Sequence, residues 1–91
     1  MTGESLESIR ARIDGIDDEL LRLVNERARA AAEVAAAKQA AGDSGDYYRP
    51  AREAEVLRRV RDANQGPLAD EDVTRLFREI MSACLALQRP L

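Results

Sequence analysis

The stretch LESIRARIDGIDDELLRLVNERARAAAEVAAAK, residues 6–38, decides the fold of this 91-residue chain. Apolar side chains recur at Leu6, Ile9, Ile13, Ile16, Leu20, Val24, Ala31 and Val34. That spacing of mostly three and four marks one face of an α-helix. The Ala-rich segment from Ala28 to Ala41 favours helix, and Gly42 can close it in a left-handed conformation, so the helix is expected over 5–41. At 1.5 Å per residue it would be about 55 Å long, whereas a compact domain of this size is about 26–30 Å across. Two shorter helices cannot cover all sides of such a rod, so a second copy of the chain is the expected partner.

Working outward, two clusters punctuate the rest. Gly42-Asp43-Ser44-Gly45-Asp46 runs towards Pro50, and Asn64-Gln65-Gly66-Pro67 follows later. They leave two further helices, over 50–64 and 70–88. Pro50 suits a first helical turn, and Asp70 can cap the third helix with Glu71 and Asp72 favourable to its N-terminal end. The chain reads as one all-α domain over 1–91, one long helix and two shorter ones forming an intertwined dimer.

Composition excludes much chemistry. Aromatics are only 3% of residues, poor material for a β-sandwich or barrel. There is no His, which removes imidazole catalysis and imidazole metal sites. The lone Cys84 forms neither an internal disulfide nor a cysteine zinc cluster. A net charge of −3 is the wrong sign for generic nucleic-acid binding. No signal-peptide pattern or long apolar run is present, so a cytoplasmic protein without a membrane or nucleic-acid partner is expected. Neither a Walker loop nor a dinucleotide-binding glycine pattern occurs.

The apolar stripe is broken by Arg27 and by Lys38, the only lysine. At 100° per residue both fall near the middle of the face. A cation there is costly unless paired, although either side chain could snorkel to water. The two are about 16 Å apart along the axis, within convergence of their long heads. Arg10 lies about 90° from the stripe centre, where it could pair with Asp14 or point into a partner's cleft. Glu53 sits in the first turn of the second helix, favoured there by the dipole or by a ligand, with Arg52 beside it. Val56, Leu57 and Val60 form that helix's inner face. The third helix is expected to bury Val73, Leu76, Phe77, Ile80, Met81, Cys84 and Leu87. Gln88 follows Cys84 by one turn, either as a frayed helix end or on the flank of a site. Cys84 reads as a small core residue, Tyr47 and Tyr48 as loop anchors, and Asp14, Asp17, Asp18 and Glu19 as a solvated face.

Several cations, one carboxylate and one amide suit a small dianion, since Arg forks match carboxylates bidentately. Without a nucleophile and its base, such a set favours binding, or a unimolecular reaction driven by positioning and electrostatics.

The stretch quoted above, then YYRPAREAEVLRRV (47–60) and VTRLFREIMSACLALQ (73–88), resembles the all-helical chorismate mutases. The resemblance covers about residues 5–90 and is strongest to the mutase domain of the bifunctional chorismate mutase–prephenate dehydratases. It implies an intertwined homodimer with two sites, each completed by one Arg from the partner's long helix. It implies the rearrangement of chorismate to prephenate in phenylalanine and tyrosine synthesis, without cofactor or metal, and allows a fusion to a prephenate dehydratase domain. By that resemblance Arg10, from the partner, and Arg27 hold the substrate carboxylates. Lys38 and Gln88 address the ether oxygen, Glu53 takes the ring hydroxyl and Arg52 assists. Two positions depart from the pattern. Arg49 stands where many relatives have an acidic residue, leaving its backbone N–H as the contribution. Cys84 stands where some relatives have Ser, a weaker donor to substrate. Two rival readings stay open: an isochorismate pyruvate lyase of the same architecture, and a non-catalytic helical dimerisation or regulatory module.

Overall fold

A computed structural model of the chain describes residues 3–40 and 50–88. Three helices account for nearly all of them: α1 (Leu6–Ala40), α2 (Pro50–Ala63) and α3 (Asp70–Gln88). The all-α expectation is met, and there is no strand among the described residues. Gly42, Tyr47, Tyr48 and Arg49 lie outside them.

The helix ends show why the boundaries fall where they do. Ser5 Oγ accepts the Ser8 N–H at 3.1 Å and the Ser5 carbonyl accepts the Ile9 N–H at 3.0 Å, so Ser5 is the cap and α1 begins at Leu6. α2 stops at Ala63 because Asn64 turns the chain. Its Nδ2 donates to the Leu68 carbonyl and to Asp70 Oδ1, each at 2.8 Å, while its Oδ1 accepts the Gly66 N–H at 3.1 Å. Gly66 has a φ of 74°, a left-handed conformation that suits glycine. Asp70 is not the cap of α3. The Ala69 carbonyl accepts the first bonds, from Asp72 and Val73, and the Asp70 carboxylate is engaged by Asn64 instead.

α3 packs against both α1 and α2, while α1 and α2 make no close backbone approach among the described residues. The buried apolar residues are Ala35, Val56, Leu57 and Cys84. Ala28 and Ala31 are half-buried on the same side of α1 as Ala35, so small side chains line the contact with α3. Val73, Phe77, Ile80 and Met81 are at least partly covered, as expected. Leu76 and Leu87 are not buried, at 51% and 62% exposed, because they lie on the edge of α3 that neither neighbouring helix covers.

The fold is elongated, 63 × 24 × 17 Å, with a radius of gyration of 17.2 Å. A compact chain of this length would give about 12 Å. The excess is the first half of α1. There Leu6, Ile13, Ile16 and Leu20 are half exposed or more, whereas Arg27, Ala31, Ala35 and Lys38 of the second half are half-buried or buried. The stripe is therefore mostly covered in the second half and mostly bare in the first, with half-buried Ile9 and the 49% exposed Val34 as the exceptions. None of the described helices is long and apolar enough to cross a membrane.

Candidate active site

Arg27 anchors the candidate site. It sits in the covered half of the α1 stripe, half-buried, and its Nη1 donates to Cys84 Sγ on α3 at 3.3 Å. No carboxylate pairs with it among the described residues. Such a guanidinium has five N–H donors in a rigid fork, so most of them remain available to an anion. Cys84 is 3% exposed, which agrees with its reading as a core residue. Its contact with Arg27 spans positions 57 residues apart, so no local spacing could have shown it.

Lys38 lies three turns further along α1 and is half-buried, on the same face as Arg27. Gln88 ends α3, one turn after Cys84. Glu53 is in the first turn of α2, half-buried, with no ion-pair partner among the described residues. An unpaired carboxylate in that position is favoured by the positive end of the helix and is free to accept a hydroxyl. Arg52 points elsewhere: it is exposed and its guanidinium is paired with Glu55 one turn on.

Arg10 does not join this group within one chain. α1 is continuous from Leu6 to Ala40, which puts Arg10 about 25 Å along the axis from Arg27, too far for two side chains to converge. Nor does Arg10 make the expected pair with Asp14; it is exposed and has no partner among the described residues. Its neighbours differ. Arg12 pairs with Glu4, and Arg22 is shared by Glu19 and Glu26. The Glu19 hydrogen bond pushes the Arg22 pKa above its ordinary value; desolvation opposes it, and the field and hydrogen bond of Glu26 add to the rise. Asp14, Asp17 and Asp18 are exposed, as a solvated face should be. Among the described residues no group of three or more acidic or sulfur ligands could hold a metal ion.

A long helix carrying two half-buried cations on one face, packed against a shorter helix that in turn packs on another, defines an all-helical fold with a candidate site for a small anion. Residues 9–89 match the family chorismate mutase type II, and the chain belongs to that family. It is 50% identical over 91 residues to the bifunctional chorismate mutase/prephenate dehydratase of Pseudomonas aeruginosa and 56% identical over 82 residues to that of Neisseria gonorrhoeae. Those alignments take in 97% and 90% of this chain but only 25% and 22% of the relatives, so the chain spans about a quarter of their length. Among solved structures, chorismate mutase form II from Thermus thermophilus superposes with a TM-score of 0.86 at 35% identity, covering 93% of this chain and 94% of that one. Chorismate mutase from Helicobacter pylori, solved in complex with prephenate, gives a TM-score of 0.82 at 32% identity, covering 91% and 88%.

Proposed function

We propose that the chain is a chorismate mutase, an intramolecular isomerase that converts chorismate to prephenate in phenylalanine and tyrosine synthesis. The observation that carries this is the half-buried Arg27, held by a thiol and left without a carboxylate in a chain of the chorismate mutase type II family. The prephenate complex of the Helicobacter pylori relative supports the same ligand class.

In the reaction the ether C–O bond breaks as a C–C bond forms within one molecule, and no proton moves. The protein has to select the compact conformer and stabilise charge at the ether oxygen. Arg27, with Arg10 of the other protomer, clamps the two carboxylates. Lys38 and Gln88 donate to the ether oxygen, whose negative charge is larger in the transition state than in the ground state. Glu53 accepts the ring hydroxyl. Arg52 exchanges Glu55 for the substrate, and Arg49 contributes its backbone N–H. None of these steps calls for a cofactor or a metal.

The active unit is a homodimer. The bare first half of the α1 stripe and the unpaired Arg10, about 25 Å from its own Arg27, support that assembly. The chain acts as one domain in the cytoplasm, either alone or joined to a prephenate dehydratase domain as in its bifunctional relatives. Incubation with chorismate and separation of the products tests the reading. Prephenate formation at an enzymatic rate supports it. Pyruvate from isochorismate, with no prephenate from chorismate, would identify a lyase instead, and no turnover of either would leave a dimerisation module.

A further inference from the structure

We infer that Cys84 is a positioning residue for Arg27, accepting one guanidinium N–H so that the rest of the fork faces the substrate. This rests on the mutase reading, and it differs from the direct donor role to substrate that the family resemblance gives this position. The Arg27 Nη1 to Cys84 Sγ distance is 3.3 Å, and the arginine has no other partner among the described residues. Arg27 is long and rotatable, so a guanidinium held only at its backbone would sample many directions. Cys84 is 3% exposed on the helix that packs against both others, which makes its sulfur a fixed point.

The type of acceptor matters. A carboxylate at this place would hold Arg27 more firmly, but it would also neutralise the charge and compete with the substrate for the same donors. A thiol orients the fork and leaves its charge uncompensated for an incoming dianion. A hydroxyl accepts in the same way, whereas a methyl or isopropyl group fills space and accepts nothing.

The test is a kinetic series on the full chain with chorismate, using Cys84→Ala, Cys84→Val and Cys84→Ser, each also in an Arg27→Lys background. Constants are referred to folded protein, checked by circular dichroism and thermal unfolding. Cys84→Ala and Cys84→Val should each raise KM about fivefold, about 1 kcal/mol of uniform binding, with kcat within about twofold. Cys84→Ser should restore KM to within about twofold of wild type, because the acceptor returns. In the Arg27→Lys background the fork is gone, and removing the acceptor should change KM by less than about twofold.

The inference is overturned if Cys84→Ala and Cys84→Val leave KM unchanged. It is also overturned if their cost persists undiminished beside Arg27→Lys, which would mean that sulfur touches the substrate itself. A core-filling role would reverse the order, with Cys84→Val tolerated and Cys84→Ser impaired. Should one replacement not fold, the other still separates acceptor from filler. A wild type that makes no prephenate is a different failure, that of the mutase reading, and removes this inference with it.

Discussion

Arg10 and Arg27 sit on one continuous helix about 25 Å apart, so a single protomer cannot bring both to the same small anion. Arg27 is covered by α3, whereas Arg10 is exposed and unpaired among the described residues. If both bind substrate, they come from different chains. Arg10→Ala should then lose most activity with the fold intact, and so should Lys38→Ala. Mixing the two after subunit exchange should restore activity to at most about a quarter of wild-type sites, because each mixed dimer carries one site with both lesions and one with neither. No recovery after exchange would put Arg10 in its own chain's site or outside it.

The bare half of the stripe makes a separate prediction. Leu20 is 53% exposed at the centre of the face that α3 leaves uncovered. A partner helix would bury it, and a charge there would meet apolar surface without compensation. Wild type should sediment as twice the 10.1 kDa chain at micromolar concentration. Leu20→Asp should shift it to monomer and remove activity at the same time. A wild-type monomer would overturn the shared site.

Asn64 has a structural rather than chemical task. It satisfies a carbonyl, a carboxylate and a backbone N–H between α2 and α3. Asn64→Ala should cost about 1–2 kcal/mol, lowering Tm by roughly 5–15 °C, while kcat per folded molecule stays near wild type. Unchanged thermal unfolding would show that water replaces these bonds without loss.

Much of this fold is legible in the sequence because its signals are local. The three-four stripe of α1, the glycine and proline clusters, and Asn64 and Pro50 at helix ends are all read within a few residues. Asp70 misleads because a helix-start carboxylate has two employers to choose from, the backbone behind it or a side chain across the turn, and spacing does not decide between them. Leu76 and Leu87 mislead because periodicity gives the direction of a face and not its width of cover. The cationic breaks at Arg27 and Lys38 announce a site, but the Cys84 contact depends on how α3 lies on α1. The unpaired state of Arg10 is equally hidden, since Asp14 stands at ideal i,i+4 spacing and is not used.

Lys38 separates transition-state stabilisation from simple clamping. It is half-buried on the Arg27 face, and its proposed target gains charge chiefly as the ether bond breaks. Lys38→Ala should lower kcat by at least about a hundredfold with a much smaller rise in KM. A rise in KM at unchanged kcat would make Lys38 a carboxylate clamp instead.

Gln88→Glu tests the second donor through its protonation state. Gln88 closes α3 one turn after Cys84, and as an amide it offers a neutral N–H at every pH. A carboxyl group there donates only when protonated. Ionised, it places negative charge against an oxygen that is itself becoming negative, a repulsion of the order of 4 kcal/mol for contact at the effective dielectric of a protein site. The sign follows directly: activity should be low above the pKa of the introduced carboxyl and rise as pH falls through it. Lys38⁺ would lower that pKa and burial would raise it, so the midpoint reports which influence is greater. Wild type should show no comparable activation in acid, which is the control for substrate ionisation. A pH–kcat profile of Gln88→Glu that overlays the wild-type curve would remove Gln88 from the ether oxygen and leave it as the polar end of a helix.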